Sequence, residues 1–367
     1  MSGSTIGKNI SLTTWGESHG SALGVVVDGF PAGMDLNEKD IQAFLDRRKP
    51  GTSSATTSRK EDDLVEILSG VFEGKTTGTP ISLMVRNTSQ RSSDYSEIAK
   101  CYRPGHADFG FDQKYGFRDY RGGGRSSGRE TIGRVAAGAL CSKLLNEMGI
   151  TVTAYTKSIG EVKIDPSKFD ADLRLTTPTA MPDADADNRA MELIAKCREE
   201  NDSVGGVIEC RIKGVPAGIG EPVFDKLDAL LAKAVMSIGA VKAVEIGDGC
   251  LVSGYRGSDN NDSFESDGIH IYKKTNHSGG ILGGMSDGSE IIIRAYVKPT
   301  PSIFRTQDTV SRDGDNISIN IKGRHDPVVV PRAVVVVESM CAYVLLDLMI
   351  SNMSSKADSI KHFYSKE

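Results

Sequence analysis

The sequence predicts one pseudo-symmetric α+β domain, and three observations carry that expectation. One turn pattern occurs twice, as Gly29-Phe-Pro-Ala-Gly33 and as Gly214-Val-Pro-Ala-Gly218. Each copy follows an apolar strand-like run and precedes a helix-like pattern. Each half then carries a stretch with Arg and Gly and a second helix. Halves built alike from strands and helices favour one shared core over two independent ones. A chain of 367 residues can bury such a core without disulfide or metal staples.

In the first half, about 1–150, apolar residues alternate up to Val27. After the turn comes a helix with Ile41, Phe44 and Leu45 on one face, ending at Arg47-Arg48-Lys49-Pro50. A second helix starts near Ser127, whose spacing to Glu130 fits a capping box. Ile132, Val135, Ala136, Ala139, Leu140 and Leu144 form its apolar stripe, and Gly149 marks a stop. In the second half, about 203–350, Val207 to Ile212 reads as a strand. The turn repeats, and a helix with Phe224, Leu227, Leu230, Leu231 and Val235 follows. From Pro331 a long segment is apolar nearly all round and belongs at the centre of the core. Its valine run fits a strand equally on propensity alone. The polar stretch Asp165 to Asn188 joins the halves and reads as a surface loop or flexible linker.

A hydrophobic fraction of 38% and a charged fraction of 25% suit a soluble globular protein. With a net charge of -5 there is no overall basic field for nucleic acid or a membrane surface. The N-terminus lacks a basic head followed by an apolar core, so it is no signal peptide. The nearest approach to a membrane span, Ala333 to Ile350, is interrupted by Glu338 and Asp347. The six cysteines form no Cys-x-x-Cys pair and read as reduced, buried thiols of a cytoplasmic protein.

Three glycine motifs resemble nucleotide sites. Gly70-Val-Phe-Glu-Gly74-Lys75-Thr76 is one residue short of a P-loop, which changes the backbone N–H groups that face a phosphate. Gly122 to Gly128 opens a helix but follows Phe117-Arg-Asp-Tyr-Arg121, which is no buried strand, so a dinucleotide fold lacks its context. Gly279 to Gly284 has no fixed meaning by itself. The histidines are more informative. Three of the six, His19, His106 and His325, sit in segments dense in Gly, Arg or acidic residues. Imidazole titrates near neutrality and can pass a proton to a leaving group or cofactor; the other reading of each is a hydrogen-bonded core residue. Arginines gather nearby: Arg47 and Arg48 end a helix, Arg118, Arg121, Arg125, Arg129 and Arg134 share one stretch, and Arg324 and Arg332 flank the last helix. Guanidinium forks bind phosphate and carboxylate, although each could form only a surface salt bridge. No metal-ligand spacing occurs. The residues alone thus reach an enzyme with histidine acid/base groups and a phosphorylated or polycarboxylate ligand.

Several segments together resemble the chorismate synthase family. They are Gly16-Glu-Ser-His-Gly20 with Leu23 to Gly29, Asp46-Arg-Arg-Lys-Pro-Gly51, Arg103-Pro-Gly-His-Ala-Asp108 and Asp119 to Ser127. Gly247-Asp-Gly249, Asn276 to Gly284, Lys298-Pro-Thr300 and Gly323-Arg-His-Asp-Pro327 continue the match in family order. The resemblance implies helices sandwiched between antiparallel sheets, in a homotetramer. It implies an anti-1,4-elimination of phosphate from 5-enolpyruvylshikimate 3-phosphate, giving chorismate with reduced FMN (FMNH2) and no net redox change. On that resemblance His19 protonates the departing phosphate, His106 stabilises the protonated reduced flavin, and Asp326 helps flavin N5 act as base. FMN contacts fall on Arg125, Ser126, Ser127, Gly239, Ala240, Gly283, Lys298, Pro299, Thr300, Pro301, Ser302 and Arg324. Arg48 matches a position for NADP or substrate, with Arg129 and Arg134 as further substrate candidates. Ser54 stands where the family often has a second Arg, with Arg59 or Lys60 able to compensate, and Gly239 stands where Asn is common. NADPH is a candidate reductant of the flavin, but no added domain or long insertion serves it, which favours an external reductant. Two other readings remain. A flavin- or NADP-dependent oxidoreductase would consume reduced cofactor, and a non-catalytic phosphometabolite-binding module would tolerate loss of His19 and His106.

Overall fold

The computed structural model describes residues 3–51, 55, 61–87, 98–321 and 326–365. Ser54, Arg59, Lys60, Arg324 and His325 lie outside the described residues. The helices are α1 (Glu38–Arg48), α2 (Asp108–Tyr115), α3 (Thr131–Glu147), α4 (Ala184–Glu199), α5 (Leu227–Met236), α6 (Gly257–Asn260), α7 (Val330–Asn352) and α8 (Ala357–Tyr364).

Two five-stranded antiparallel sheets enclose the main helices. In spatial order the first holds Thr5–Ile6, Ser11–Gly16, Ala22–Asp28, Ile81–Arg86 and Val65–Ser69. The second holds Val241–Ile246, Ile291–Val297, Gly206–Lys213, Thr151–Ile159 and Val162–Lys163. Helices α1 and α3 pack on the first sheet, and α5 and α7 on the second. The two helix pairs meet through α3 and α7, so one apolar core runs through all layers. At that contact a Cβ on Gly138 would lie 2.2 Å from Cβ of Ser339, so only glycine permits the helices to approach this closely. Helix α7 is long and apolar enough to cross a bilayer, yet 89% of its most apolar window is buried inside the protein. The valine run is therefore the central helix, not a strand.

The repeated turn has the same hydrogen bonds in both halves. Gly33 N donates to Thr76 O (2.8 Å), Met34 N to Thr76 Oγ1 (3.0 Å), and that hydroxyl donates to Pro31 O (2.8 Å). In the second copy Gly218 N donates to Ser286 O (2.8 Å), Ile219 N to Ser286 Oγ (2.9 Å), and that hydroxyl to Pro216 O (2.6 Å). Each supporting Thr or Ser ends a small hairpin, Val71–Phe72 with Lys75–Thr76 and Ile281–Leu282 with Met285–Ser286. The P-loop-like segment is thus one hairpin of the duplication, and the Gly279–Gly284 loop belongs to the other.

Three local expectations are corrected. Ser127 and Glu130 form no capping box. Ser127 caps a 3-10 turn, Gly128–Glu130, ahead of α3, and Glu130 turns to Arg134 instead (2.9 Å). The capping box belongs to α1, between Asn37 and Asp40. Phe224 precedes α5 and is 89% exposed, so it is no part of that helix's apolar stripe. The stretch from Asp165 to Asn188 is pinned to the second sheet and contains the start of α4. Asp183 caps α4, Thr179 O accepts from Thr156 Oγ1 (2.6 Å), and Met181 is fully buried.

Glu338 sits in the middle of the apolar α7 and is 2% exposed. Arg47 donates to both its oxygens (2.5 and 3.1 Å), Arg174 lies at 3.3 Å, and Ala154 N donates at 2.9 Å. Removing one member of a buried ionic cluster leaves the others desolvated and unpaired. Glu338→Ala is expected to destabilise the fold by about 3–5 kcal/mol in denaturant titration. A loss below about 1 kcal/mol, the range of an exposed pair, would show that the cluster holds nothing together.

Candidate active site

Loops from both halves converge on a cavity of about 1270 Å³ at the edge of the helical layer. Its walls include Ser18 and His19, the end of α1 with Arg48, the Arg103–Ala107 turn, and Gly122 through Thr131 with Arg134. Ser237 to Ala240, Lys298, Thr300 to Ser302, Asp326 and the first turns of α7 complete them. His19, His106 and Asp326, far apart in sequence, thus share one cavity.

The turn carrying His106 is closed by Arg103. Its Nε and Nη2 grip Asp108 at 2.8 and 2.7 Å, and its backbone N donates to the same carboxylate at 3.0 Å. His106 Nδ1 lies 2.9 Å from Pro104 O, and Nε2 lies 3.0 Å from Ser302 Oγ. A carbonyl can only accept, so in the neutral ring Nδ1 carries the hydrogen and Nε2 accepts from Ser302. Burial, reinforced by the Arg103 charge, pushes the imidazole pKa down to about 4. His106 is therefore neutral near pH 7. Lys298 donates from Nζ to Gly105 O (2.9 Å), tying its own loop to the histidine turn.

His19 is 9% exposed, with Nδ1 3.1 Å from Ser18 Oγ. Its ring lies against Gly122, where an added Cβ would sit 2.2 Å from Cε1. Gly122 also has φ +69°, a conformation that side chains disfavour. Arg125 reaches back to Gly16 O (3.0 Å), Thr14 O (3.1 Å) and Thr14 Oγ1 (2.6 Å). Among the described residues it has no carboxylate partner. Ser126 Oγ donates to Gly123 O (2.8 Å), and Ser127 Oγ accepts from Arg129 N (3.3 Å).

The remaining arginines are mostly neutralised. Arg48, 1% exposed, pairs with Asp63 at 2.5 Å; burial lowers its pKa, and Asp63 opposes that shift. Arg129 pairs with Glu61 and Asp63 and donates from Nε to Asn87 (2.9 Å). Arg134 holds Glu130 and donates to Ser237 Oγ (2.6 Å). Arg332 binds Asp326 (2.5 Å) and the carbonyl of Arg48 (3.0 Å). Arg118 and Arg121 are taken up by Asp112 and Asp119.

Not every candidate reaches the cavity. Pro299 is not among its lining residues, and Gly283 lies in the hairpin outside it. Arg324 is outside the described residues. Ala240 lines the cavity with φ +73°, a strained geometry for alanine, and a Cβ at Gly239 would meet nothing within 4 Å. Sequence reasoning missed Glu61, Asp63, Lys114 and Lys233. The first two sit in an ordinary polar run, and nothing in the pattern separates the two lysines from surface charge. Among the described residues no group of three or more His, Cys, Asp or Glu could hold a metal.

A cavity lined by two histidines, a carboxylate and several arginines, most of them ion-paired, has the makeup of an enzyme active site. A family model described as chorismate synthase matches residues 10–350. Chorismate synthase of Lachnoclostridium phytofermentans is 63% identical over 367 residues, the full length of both chains. That of Lachnospira eligens is 61% identical over 366 residues, again covering both chains entirely. A solved structure, "Crystal Structure of Chorismate Synthase", superposes with a TM-score of 0.76 at 31% identity, covering 97% of this chain and 96% of that one. The chain belongs to the chorismate synthase family, carbon–oxygen lyases of aromatic biosynthesis.

The contact between Gly122 and His19 gives a direct test. Gly122→Ala must push the His19 ring aside, and turnover is expected to fall by about a hundredfold, the scale for losing an acid–base group. Steady-state kcat unchanged in that variant would show that the position of His19 is immaterial.

Proposed function

We propose that the protein eliminates phosphate from 5-enolpyruvylshikimate 3-phosphate by anti-1,4-elimination, giving chorismate, with reduced FMN and no net redox change. The observation that carries this reading is one cavity joining His19, His106 and Asp326 to Arg125 and Lys298, which have no carboxylate partner among the described residues. At about 1270 Å³ it exceeds the ~300–1,000 Å³ of a pocket for one small ligand. That volume is room enough for a cofactor together with a small substrate.

The residues suit a flavin phosphate. Arg125 and Lys298 carry charge without a carboxylate partner among the described residues, and the buried Thr300 Oγ1 has no hydrogen-bond partner there. Ile238, Val329, Val336 and Met340 give the same cavity apolar wall for a ring. When bound, reduced FMN supplies the electron-rich ring that helps expel phosphate. The chain's own residues bind, orient and move protons. His19 donates a proton to the leaving phosphate oxygen. Arg48 contacts the substrate's anionic groups, with Arg129 and Arg134 behind it. Arg332 holds the Asp326 carboxylate, which would help flavin N5 act as the base. His106 answers the added negative charge: an anion beside a buried neutral imidazole raises its pKa, so the ring takes up a proton. The same reading includes a homotetramer, a cytoplasmic setting, and an external source of reduced flavin with NADPH as candidate reductant.

Anaerobic incubation with dithionite-reduced FMN and 5-enolpyruvylshikimate 3-phosphate should release phosphate catalytically while the flavin stays reduced. Stoichiometric flavin oxidation would indicate an oxidoreductase, and no release would reject the reading. His19→Ala and His106→Ala should each lower kcat by about a hundredfold or more while flavin still binds; wild-type turnover in either would reject the acid–base role given to that histidine.

Proton uptake tests His106 separately. Its pKa of about 4 leaves it unprotonated in the free protein at pH 7. If bound anions raise that pKa above 7, binding takes up about one proton at pH 7, and uptake falls to about half near pH 4 and vanishes below it, or once the pH rises past the new value. Calorimetry in buffers of different ionisation enthalpy reads this directly. Equal uptake in wild type and His106→Ala would assign the proton to another group.

A further inference from the structure

We propose that Asp63 is a positioning residue for substrate binding, bridging Arg48 to Arg129 so that the Nε edge of Arg48 is kept for an anionic group of the substrate. This rests on the reading of Arg48 as a substrate contact.

Asp63 is 4% exposed and uses its two oxygens on two different guanidiniums. Oδ2 accepts a hydrogen bond from Arg48 Nη2 at 2.5 Å, and Oδ1 lies 3.1 Å from Arg129 Nη2 as an ion pair without hydrogen-bond geometry. Arg129 is itself fixed, by Asn87 Oδ1 on Nε at 2.9 Å and by Glu61 on Nη1. It is therefore an anchor, and Asp63 transmits that anchor to Arg48. One carboxylate between two guanidiniums also removes the repulsion that would otherwise spread them apart.

The anchoring leaves Arg48 incompletely used. Nη1 reaches only Gly128 O, at 3.5 Å, and the buried Nε has no hydrogen-bond partner among the described residues. A buried donor without an acceptor is unfavourable, and a phosphate or carboxylate entering the cavity supplies that acceptor. The main chain of Arg48 is held independently, by Arg332 on its carbonyl at 3.0 Å. Backbone and side chain are thus fixed from opposite partners, as a preorganised anion contact requires. Asp63 itself has φ +46°, the left-handed region, which an aspartate tolerates better than most side chains. Strained backbone of this kind persists where the surrounding contacts over-determine it.

The test is a double-mutant cycle on steady-state kinetics with 5-enolpyruvylshikimate 3-phosphate and reduced FMN. Arg48→Ala should raise KM by about tenfold or more, because a guanidinium contact to an anion is hard to replace. Asp63→Asn should also raise KM about tenfold with kcat within about threefold, since it loosens Arg48 without touching the reacting atoms. In the double variant KM should stay within about threefold of Arg48→Ala alone, because Asp63 acts through Arg48. If Asp63→Asn does not fold, Asp63→Glu carries the test: it keeps the charge but lengthens the bridge, and should raise KM by at least about threefold. An unchanged or lower KM in the Asp63 variants would overturn the proposal, the lower value showing that Asp63 competes with substrate. Multiplicative effects in the double variant would overturn it too. An unchanged KM in Arg48→Ala would instead remove the reading of Arg48 itself.

Discussion

Glu338 is a carboxylate in the middle of the most apolar helix of the protein, and the arrangement of the other layers follows from how it is satisfied. Taking a carboxylate into such a core is costly unless charge and hydrogen bonds surround it. Arg47 comes from the end of α1, Arg174 from the stretch between the halves, and Ala154 N from the second sheet. One side chain therefore ties together elements from both halves of the duplication. The consequence reaches the cavity, because Arg47 and Arg48 are neighbours at the end of one helix. Successive side chains on a helix point about 100° apart. With Arg47 committed to α7, Arg48 is turned toward Asp63 and the cavity wall.

A second buried carboxylate, toward the C-terminal end of α7, does similar work. Asp347 accepts from the backbone N–H groups of Lys8 (3.1 Å), Asn9 (2.7 Å) and Ile10 (2.8 Å). The chain entering the first sheet is thus fixed to the same central helix. The two acidic residues that interrupt the apolar run in the sequence are the two that bind it to its surroundings. They are a cause of the three-dimensional arrangement, not defects in a membrane-like segment.

How much of this was legible depended on range. Period and turn chemistry gave α1, α3 and the duplicated turn, because those are local consequences of apolar spacing and of Gly-x-Pro-Ala-Gly; the α7 segment, apolar all round, is legible as buried and central but fits a strand equally on propensity. The Arg103–Asp108 turn was visible as a dense motif, although not its cause, the fork of Arg103 on Asp108. The histidines were flagged by company alone, and the family resemblance was needed to give them roles. What failed was partner choice. Ser127 and Glu130 have capping-box spacing, but Arg134 one turn on is the stronger partner for Glu130. Phe224 matched a helical phase that starts only at Leu227. Asp165 to Asn188 has a loop composition, but Thr179 and Asp183 find buried partners that no local pattern reveals. Glu61 and Asp63 carry no local signal, because their partners Arg48 and Arg129 lie in distant segments.

Charge pairing also changes what the arginine-rich sequence means. Reading the cluster as an open bed of cations overstates the field at the cavity, since Arg118, Arg121, Arg129, Arg134 and Arg332 each face a carboxylate. Paired arginines still contribute: Arg103 closes the turn that carries His106 through Asp108, and Arg332 holds Asp326, neither adding net charge. Among the described residues the cations without a carboxylate partner include Arg125 and Lys298. Coulomb attraction falls with distance and with solvent screening. A few unpaired cations inside a walled cavity therefore select an anion by position more sharply than a larger number spread over the surface. In a chain of net charge -5, that confinement separates a polyanion site from a generally basic protein.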